Sequence, residues 1–485
     1  MTVLALLTRV WRVGKWLVTV VAVLLLTIYF GWAVDSRGMM QLAPEHRIEF
    51  ENEFKARHED DTDWAEYLAI EKRLSIELDE KIPSEDRSDN LVDRYSTGSL
   101  NYPGNLPSNW NFSYEMSVPS PRGVAVLLHG LTDSPYSMLA TAQTLAGAGY
   151  NVVIPRMPGH GFAVGGLLQA RWEDWTAAVR IAIRHATTLP GGDKSLLLGG
   201  YSNGGLLAID YALACDEMDD MPCPDGIVLM SPAIAVSKAA IVTGSHPAIS
   251  WLPYFEQFKW LSILPEIDPF KFTSFPKHVA WEVFRVSSRT HKQLATPAEV
   301  AKLPPILTFQ SAVDNTVSAA AIVTLLYNSL HANGSMLVVY DINRNSALLH
   351  LMKSPPTGVV DYFQSIAPLD FSVTVLRNRD RSGNDIDALT LPAGSTETNT
   401  DATRLAWPSG VISLSHIAIP FRSDDLIYGD GSAQRAGGPG LPLGAQAPRG
   451  EAGVLLLTPN YFLRARHNPF YAYQARILAE WVDGL

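Results

Sequence analysis

One serine stands between closely spaced glycines in Gly200-Tyr201-Ser202-Asn203-Gly204, a G-x-S-x-G pentapeptide. An apolar run, Ser195-Leu196-Leu197-Leu198, comes just before it, and Leu206-Leu207 opens a helical pattern after it. Placed between a strand and a helix, this arrangement holds a serine on a tight turn and lifts its hydroxyl into the open as a nucleophile. A phosphate-binding loop would need Lys-Ser/Thr after its glycines, and two leucines stand there instead. Acyl transfer by Ser202 also needs backbone donors for the developing oxyanion. The Asn203 amide is one. The Leu131 amide is the other, from the His129-Gly130-Leu131 loop that closes the apolar run Val124–Leu128.

These residues need a rigid frame, and the chain alternates in the manner of one. Strand patterns over Val124–Leu128, Tyr150–Ile154, Leu196–Leu198, Ile227–Met230 and Ile306–Phe309 alternate with helical ones over Tyr136–Leu145, Trp172–Thr187 and Gly204–Ala214. Thr296-Pro297-Ala298-Glu299 reads as a capping box. Strands alternating with helices make a mostly parallel sheet covered on both faces. Three stretches break the rhythm. Ser237–Thr296 is rich in aromatic residues, Asn378–Thr403 is polar and reads as a loop, and Ser432–Gly450 is a Gly/Pro/Ala-rich loop ahead of a closing helix near Ala472–Val482.

The motifs His129–Met138 (HGLTDSPYSM), Arg156–Gly161 (RMPGHG), Trp172–Trp175 (WEDW) and Gly200–Gly205 (GYSNGG) resemble the α/β-hydrolase superfamily, and within it the bacterial carboxylesterases, monoglyceride lipases and serine aminopeptidase-type hydrolases. The resemblance covers roughly Val124–Val317. It implies an α/β-hydrolase fold, a triad in the chain order Ser, Asp, His, oxyanion roles for Leu131 and Asn203, a structural role for His160, and a cap at 237–296. Asp314, in the loop after Pro305–Gln310, matches the family's acid, with Asp341 as its competitor. For the base, three histidines compete. His350 lies near the family's spacing but sits among leucines. His416 ends a strand-like run (VISLSH) before Pro420, with Phe371–Leu376 as an added strand on the way. His467 lies in the tail. The open position of His416 at a strand end favours it as the base, followed by His350 and then His467.

Around this unit the 485-residue chain divides into an anchor (1–40), a charged juxtamembrane segment with its own helix (41–109) and the hydrolase domain (110–485). Trp16–Val34 carries no charge and has the length that spans a bilayer. Arg9, Arg12 and Lys15 before it put the start of the chain in the cytoplasm and the catalytic domain on the periplasmic, extracytoplasmic side. A cleaved signal peptide has a shorter apolar core, and Gly31-Trp32-Ala33 matches its cleavage site poorly. Cys215 and Cys223 could close a disulfide in an oxidising compartment or remain free thiols. A net charge of −11 argues against a nucleic-acid partner. No H-E-x-x-H motif or clustered Cys/His set calls for a metal, and no other cofactor is expected. The expectation is a membrane-anchored serine hydrolase of carboxylic, lipid-like esters. A peptidase or acyltransferase with the same triad, or a non-catalytic envelope scaffold, is the alternative.

Overall fold

In the computed structural model, which describes residues 3–82, 90–235, 243–244, 247–314, 316–346, 349, 358–380, 382–446 and 463–485, a ten-stranded sheet organises the chain. Its strands are β1 (Tyr114–Met116), β2 (Gly123–Leu128), β3 (Tyr150–Ile154), β4 (Leu196–Tyr201), β5 (Gly226–Met230), β8 (Ile306–Ser311), β9 (Met336–Tyr340), β10 (Ser372–Asn378), β11 (Asp385–Leu391) and β12 (Asn399–Ala406). They lie in the order β1-β3-β2-β4-β5-β8-β9-β10-β11-β12. From β3 through β10 every neighbouring pair is parallel; β1, β11 and β12 pair antiparallel at the two margins. Two short strands, β6 (Trp260–Ser262) and β7 (Phe275–Pro276), pair with each other in the segment between β5 and β8.

Apolar runs such as Val124–Leu128 form the central strands because both of their faces are covered. Successive side chains of a strand point to opposite faces. Val124, Val126 and Leu128 accordingly join one buried cluster, while Ala125 and Leu127 join the other. Helices α4 (Trp172–Thr188), α5 (Asn203–Ala212) and α6 (Lys277–Leu294) cover the first face. Helices α3 (Leu139–Gly147) and α7 (Tyr471–Asp483) cover the second.

Helix α2 (Trp64–Lys81), the helix expected in the charged early segment, also packs into the first cluster through Tyr67, Ile70 and Leu74. Two of that segment's acidic residues are buried against one cation. Arg156 donates to Glu53 at 2.9 and 3.1 Å and to Glu71 at 3.3 Å, and all three side chains are almost wholly excluded from solvent. Burial pushes both carboxyl groups up. At Glu53 the paired guanidinium and the Gly159 amide outweigh burial and hold it below the ordinary value, whereas at Glu71 burial wins.

Two local expectations are corrected. The polar stretch 378–403 is not a loop: it contributes the end of β10, all of β11 and part of β12. Ile386 and Ala388 supply the buried alternation, and the Thr- and Asp-rich β12 is exposed in the manner of a sheet edge. The Thr296 side chain does not cap its helix; its backbone carbonyl accepts from Glu299 and Val300 instead.

Helix α1 (Val3–Asp35) begins the described chain, and from Trp11 onward it is long and apolar enough to cross a membrane by length and composition. Most of its apolar side chains face outward. Cys215 and Cys223 are joined as a disulfide, with Cα atoms 5.3 Å apart.

Candidate active site

Strand β4 ends at Tyr201 and α5 starts at Asn203, leaving Ser202 alone at the turn with φ 54° and ψ −114°. A side-chain-bearing residue persists in such a conformation only when its surroundings over-determine it, at a cost of about 1–3 kcal/mol. Here the Ser202 amide donates to the Met230 carbonyl at 2.9 Å, and its own carbonyl accepts from Ala233 at 2.9 Å and Leu206 at 3.1 Å. The flanking glycines are sterically obligatory. A Cβ at Gly200 would lie 2.2 Å from the Gly204 carbonyl carbon, and one at Gly204 would lie 2.0 Å from the Leu128 oxygen. Helix and strand therefore meet closely enough to leave Ser202 half-exposed on the outside of the bend.

Asp314 follows β8, two strands from β4 in the sheet. Its Oδ1 accepts from the amides of Thr316 and Val317 at 2.9 and 3.0 Å, and its Oδ2 accepts from Gln310 Nε2 at 3.0 Å. The remaining partner is His416, whose Nδ1 lies 2.8 Å from Asp314 Oδ2. Burial pushes the Asp314 carboxyl up, but His416 and these donors outweigh it and hold the group below the usual carboxylate value. The His416 ring lies 5.2 Å, centroid to centroid, from that of Tyr201, the residue before the serine. Asp341 is engaged elsewhere, in a two-point ion pair with Arg344 at 2.8 and 3.0 Å.

His416 arrives by a detour. After β9 the chain builds β10, β11 and β12, then returns as β13 (Val411–Leu414), which pairs with β14 (Leu463–Ala465) outside the main sheet. Three hydrogen bonds tie β13 to the ends of β8 and β9. Asn343 donates from its backbone to Ile412 at 2.7 Å and from its side chain to Val411 at 3.0 Å, and Ser311 Oγ donates to Leu414 at 3.0 Å. The turn after β13 carries His416. Of the other two histidines, His350 lies outside the described residues. His467 is half-buried, with Asp430 as a charge neighbour, and burial lowers its basicity.

Leu131 is half-buried in the loop after β2, beside Thr132, whose φ is 65°. The Thr132 carbonyl accepts from Phe272 at 2.8 Å, and buried Asp133 pairs with Lys271 at 2.8 Å, so residues from the insertion between β5 and β8 grip this loop. Asn203 is the first residue of α5, where helical geometry leaves backbone N–H groups without an intrahelical acceptor. His129 and His160 are wholly buried and serve the frame. His129 Nε2 accepts from the Met157 amide at 2.9 Å, and its Nδ1 donates to the Gly130 carbonyl at 2.9 Å. His160 Nδ1 donates to Pro158 at 3.1 Å, and burial pushes the imidazole down to about 4. Neither the Gln310 support for Asp314 nor the Lys271–Asp133 pair was anticipated from the chain. A glutamine inside the buried strand Ile306–Ser311 was the available signal for the first; the second joins residues 138 positions apart. Among the described residues, the group of possible metal ligands is Cys215, Asp216 and Cys223, and its two sulfurs are bonded to each other.

A family model described as serine aminopeptidase, S33 (Hydrolase_4) matches residues 119–343. A thermostable monoacylglycerol lipase from Bacillus sp. (strain H-257) is 33% identical over 125 residues, which is 26% of this chain and 46% of that protein. The chain thus spans about half the length of that relative. Among solved structures, a chain described with the metagenome-derived lipolytic enzymes LipS and LipT is 24% identical with a TM-score of 0.39, covering 48% of this chain and 88% of that one. A monoacylglycerol lipase from Paleococcus ferrophilus is 20% identical with a TM-score of 0.36, covering 47% and 87%. The domain has the α/β-hydrolase fold, as the parallel sheet and the serine elbow after β4 define it, and the family model matches its central part.

Proposed function

We propose that this chain is a membrane-anchored serine hydrolase of carboxylic esters. The observation that carries the reading is the Asp314–His416 contact of 2.8 Å, formed beside Tyr201 at the elbow that bears Ser202. In this mechanism Ser202 Oγ attacks the ester carbonyl while His416 Nε2 takes its proton, and the Asp314 carboxylate, accepting from Nδ1–H, orients the ring and stabilises its charged form. The Leu131 and Asn203 amides hold the oxyanion of the tetrahedral intermediate. Collapse expels the alcohol, which leaves with the proton from His416. Water, deprotonated by the same histidine, then cleaves the acyl-serine and releases the acid.

The aromatic segment between β5 and β8 acts as a cap over this centre and favours an uncharged, lipid-like acyl group. The name of the similar Bacillus protein, a monoacylglycerol lipase, agrees with that substrate class. Helix α1 is read as a single membrane span with the catalytic domain on the extracytoplasmic side. The Cys215–Cys223 disulfide supports that side, because such bonds persist in oxidising compartments. A peptidase is the second reading, favoured by the serine aminopeptidase description of the matching family model.

The test is a panel of esters, thioesters and aminoacyl amides, assayed on the wild type and on Ser202→Ala together with a fluorophosphonate probe. Esters are expected to be the preferred substrates. Ser202→Ala is expected to fold normally and to lose both labelling and turnover. Amide preference selects the peptidase, and retained labelling in Ser202→Ala removes the nucleophile assignment.

A further inference from the structure

Between Trp251 and Leu264 the cap turns four large apolar side chains outward: Trp251 is 71% exposed, Tyr254 59%, Leu261 46% and Leu264 41%. Isolated exposed leucines are ordinary, but such a concentration within one short stretch marks a contact surface. What covers it follows from the other side of the same stretch, which packs on the end of α1. Tyr29 meets Phe258 edge-on at 5.3 Å, Phe30 meets Phe255 at 5.5 Å, and Ala33 is fully buried against them. Just beyond, Arg37 Nη1 donates to the Tyr254 carbonyl at 2.8 Å, and its guanidinium lies 3.9 Å over the Tyr254 ring.

Tyr29, Phe30 and Ala33 all belong to the uncharged span 16–34. At the helical rise of about 1.5 Å per residue, Tyr29 lies about 8 Å inside the end of that span. This is the depth at which surface-seated elements bury their apolar side chains, about 5–10 Å into the boundary between headgroups and acyl chains. It is also the layer in which tryptophan and tyrosine concentrate. The cap is therefore fastened to the helix at interfacial depth, with its apolar side chains adjoining that contact. Further along the same segment, Lys271 and Phe272 touch the loop that carries Leu131.

We infer that the outer face of the cap, Trp251 to Leu264, rests in the interfacial layer of the bilayer that α1 spans, and that the enzyme takes its ester from that layer rather than from bulk water. The inference rests on reading α1 as a membrane span, and the experiment separates the two. The full-length chain is reconstituted in phosphatidylcholine vesicles with a thiol-reactive fluorophore at one introduced cysteine: Val23→Cys, Leu91→Cys, Leu261→Cys or Leu264→Cys. Quenching is then read with lipids brominated near the glycerol or at mid-chain.

The expected pattern is strong mid-chain quenching at 23, strong shallow quenching at 261 and 264, and none at 91. Quenching at 23 without quenching at 261 and 264 overturns the seating of the cap while leaving the anchor intact. If those two labels are instead shielded only in native membranes, the face belongs to a protein partner and the inference fails as well. No quenching at 23 removes the anchor and the inference with it. As a functional arm, Leu261→Ser with Leu264→Ser is expected to raise KM for a vesicle-borne long-chain ester about tenfold, the worth of roughly one buried apolar side chain, and to leave turnover of a water-soluble short-chain ester unchanged. Equal effects on both esters overturn the inference.

Discussion

Two histidines with different surroundings, His416 and His160, have roles that their environments separate. His416 has a carboxylate on Nδ1 and stands at the end of β13. Its replacement by alanine is expected to leave the fold intact and to lower kcat by several orders of magnitude, as removal of a triad base does; a variant with near wild-type turnover assigns the base elsewhere. His160 is instead sealed in the frame, with burial pushing it from 6.5 down to about 4. Between those values the unfolded chain binds a proton that the folded chain refuses, so stability falls as pH falls through this window. The contribution is about 1.4 kcal/mol per pH unit for the one group. His160→Gln should accordingly show a shallower loss of unfolding free energy between pH 6.5 and 4.5 in urea titrations. A slope equal to that of the wild type would mean that the imidazole is protonated in the folded chain.

At the scale of elements, the segment between β5 and β8 grips the loop after β2. Lys271 neutralises the buried Asp133 at 2.8 Å, and the Phe272 amide holds the carbonyl of the left-handed Thr132, the residue after Leu131, at 2.8 Å. Removing one partner of a buried ion pair leaves an uncompensated charge, at a cost of about 3–5 kcal/mol. Lys271 retains some solvent access, which places Lys271→Ala at the lower end, about 3 kcal/mol in equilibrium unfolding. The same variant is expected to slow labelling by a fluorophosphonate, because the loop presenting the Leu131 amide loses its clamp. A stability loss with unaltered labelling of the folded fraction would confine the pair to a structural role. Strand β13 is a second positioning element, held by Asn343 and Ser311 rather than by the main sheet.

For the whole molecule, the early acidic segment, the main sheet and the segment between β5 and β8 form a continuous body through shared buried contacts. Glu53 and Glu71 reach Arg156 in the RMPGHG turn, and Phe255 and Phe258 reach the end of α1. An extracytoplasmic location of this body carries a direct chemical expectation for Cys215 and Cys223, the chain's two cysteines. Cells lysed in acid and treated with a mass-tagged maleimide under denaturing conditions should yield an unmodified chain, and two tags should add only after reduction. Two tags before reduction would place the domain in a reducing compartment and reverse the orientation proposed for α1.

What could be read along the chain was whatever local order encodes. The G-x-S-x-G elbow, the parallel core from Val124 to Phe309 and the apolar span 16–34 are contiguous patterns whose periodicity and glycine spacing dictate their own geometry. The strand before His416 was legible for the same reason, since Val411–Leu414 is a short aliphatic run with a polar step at its end. Other features lie beyond local order. The polar stretch 378–403 concealed β11 because its apolar residues are split between two faces, Ile386 and Ala388 on one and Leu389 and Leu391 on the other, and the strand exists because β10 offers a paired edge. The approach of His416 to Asp314, 102 positions earlier, depends on β13 being drawn back across β8 and β9 by Asn343 and Ser311. Likewise, nothing near Glu53 or Glu71 announces that Arg156 will bury both, and nothing near Lys271 points to Asp133. Such pairings repay the cost of desolvation only when distant segments converge, so the tertiary structure alone decides them.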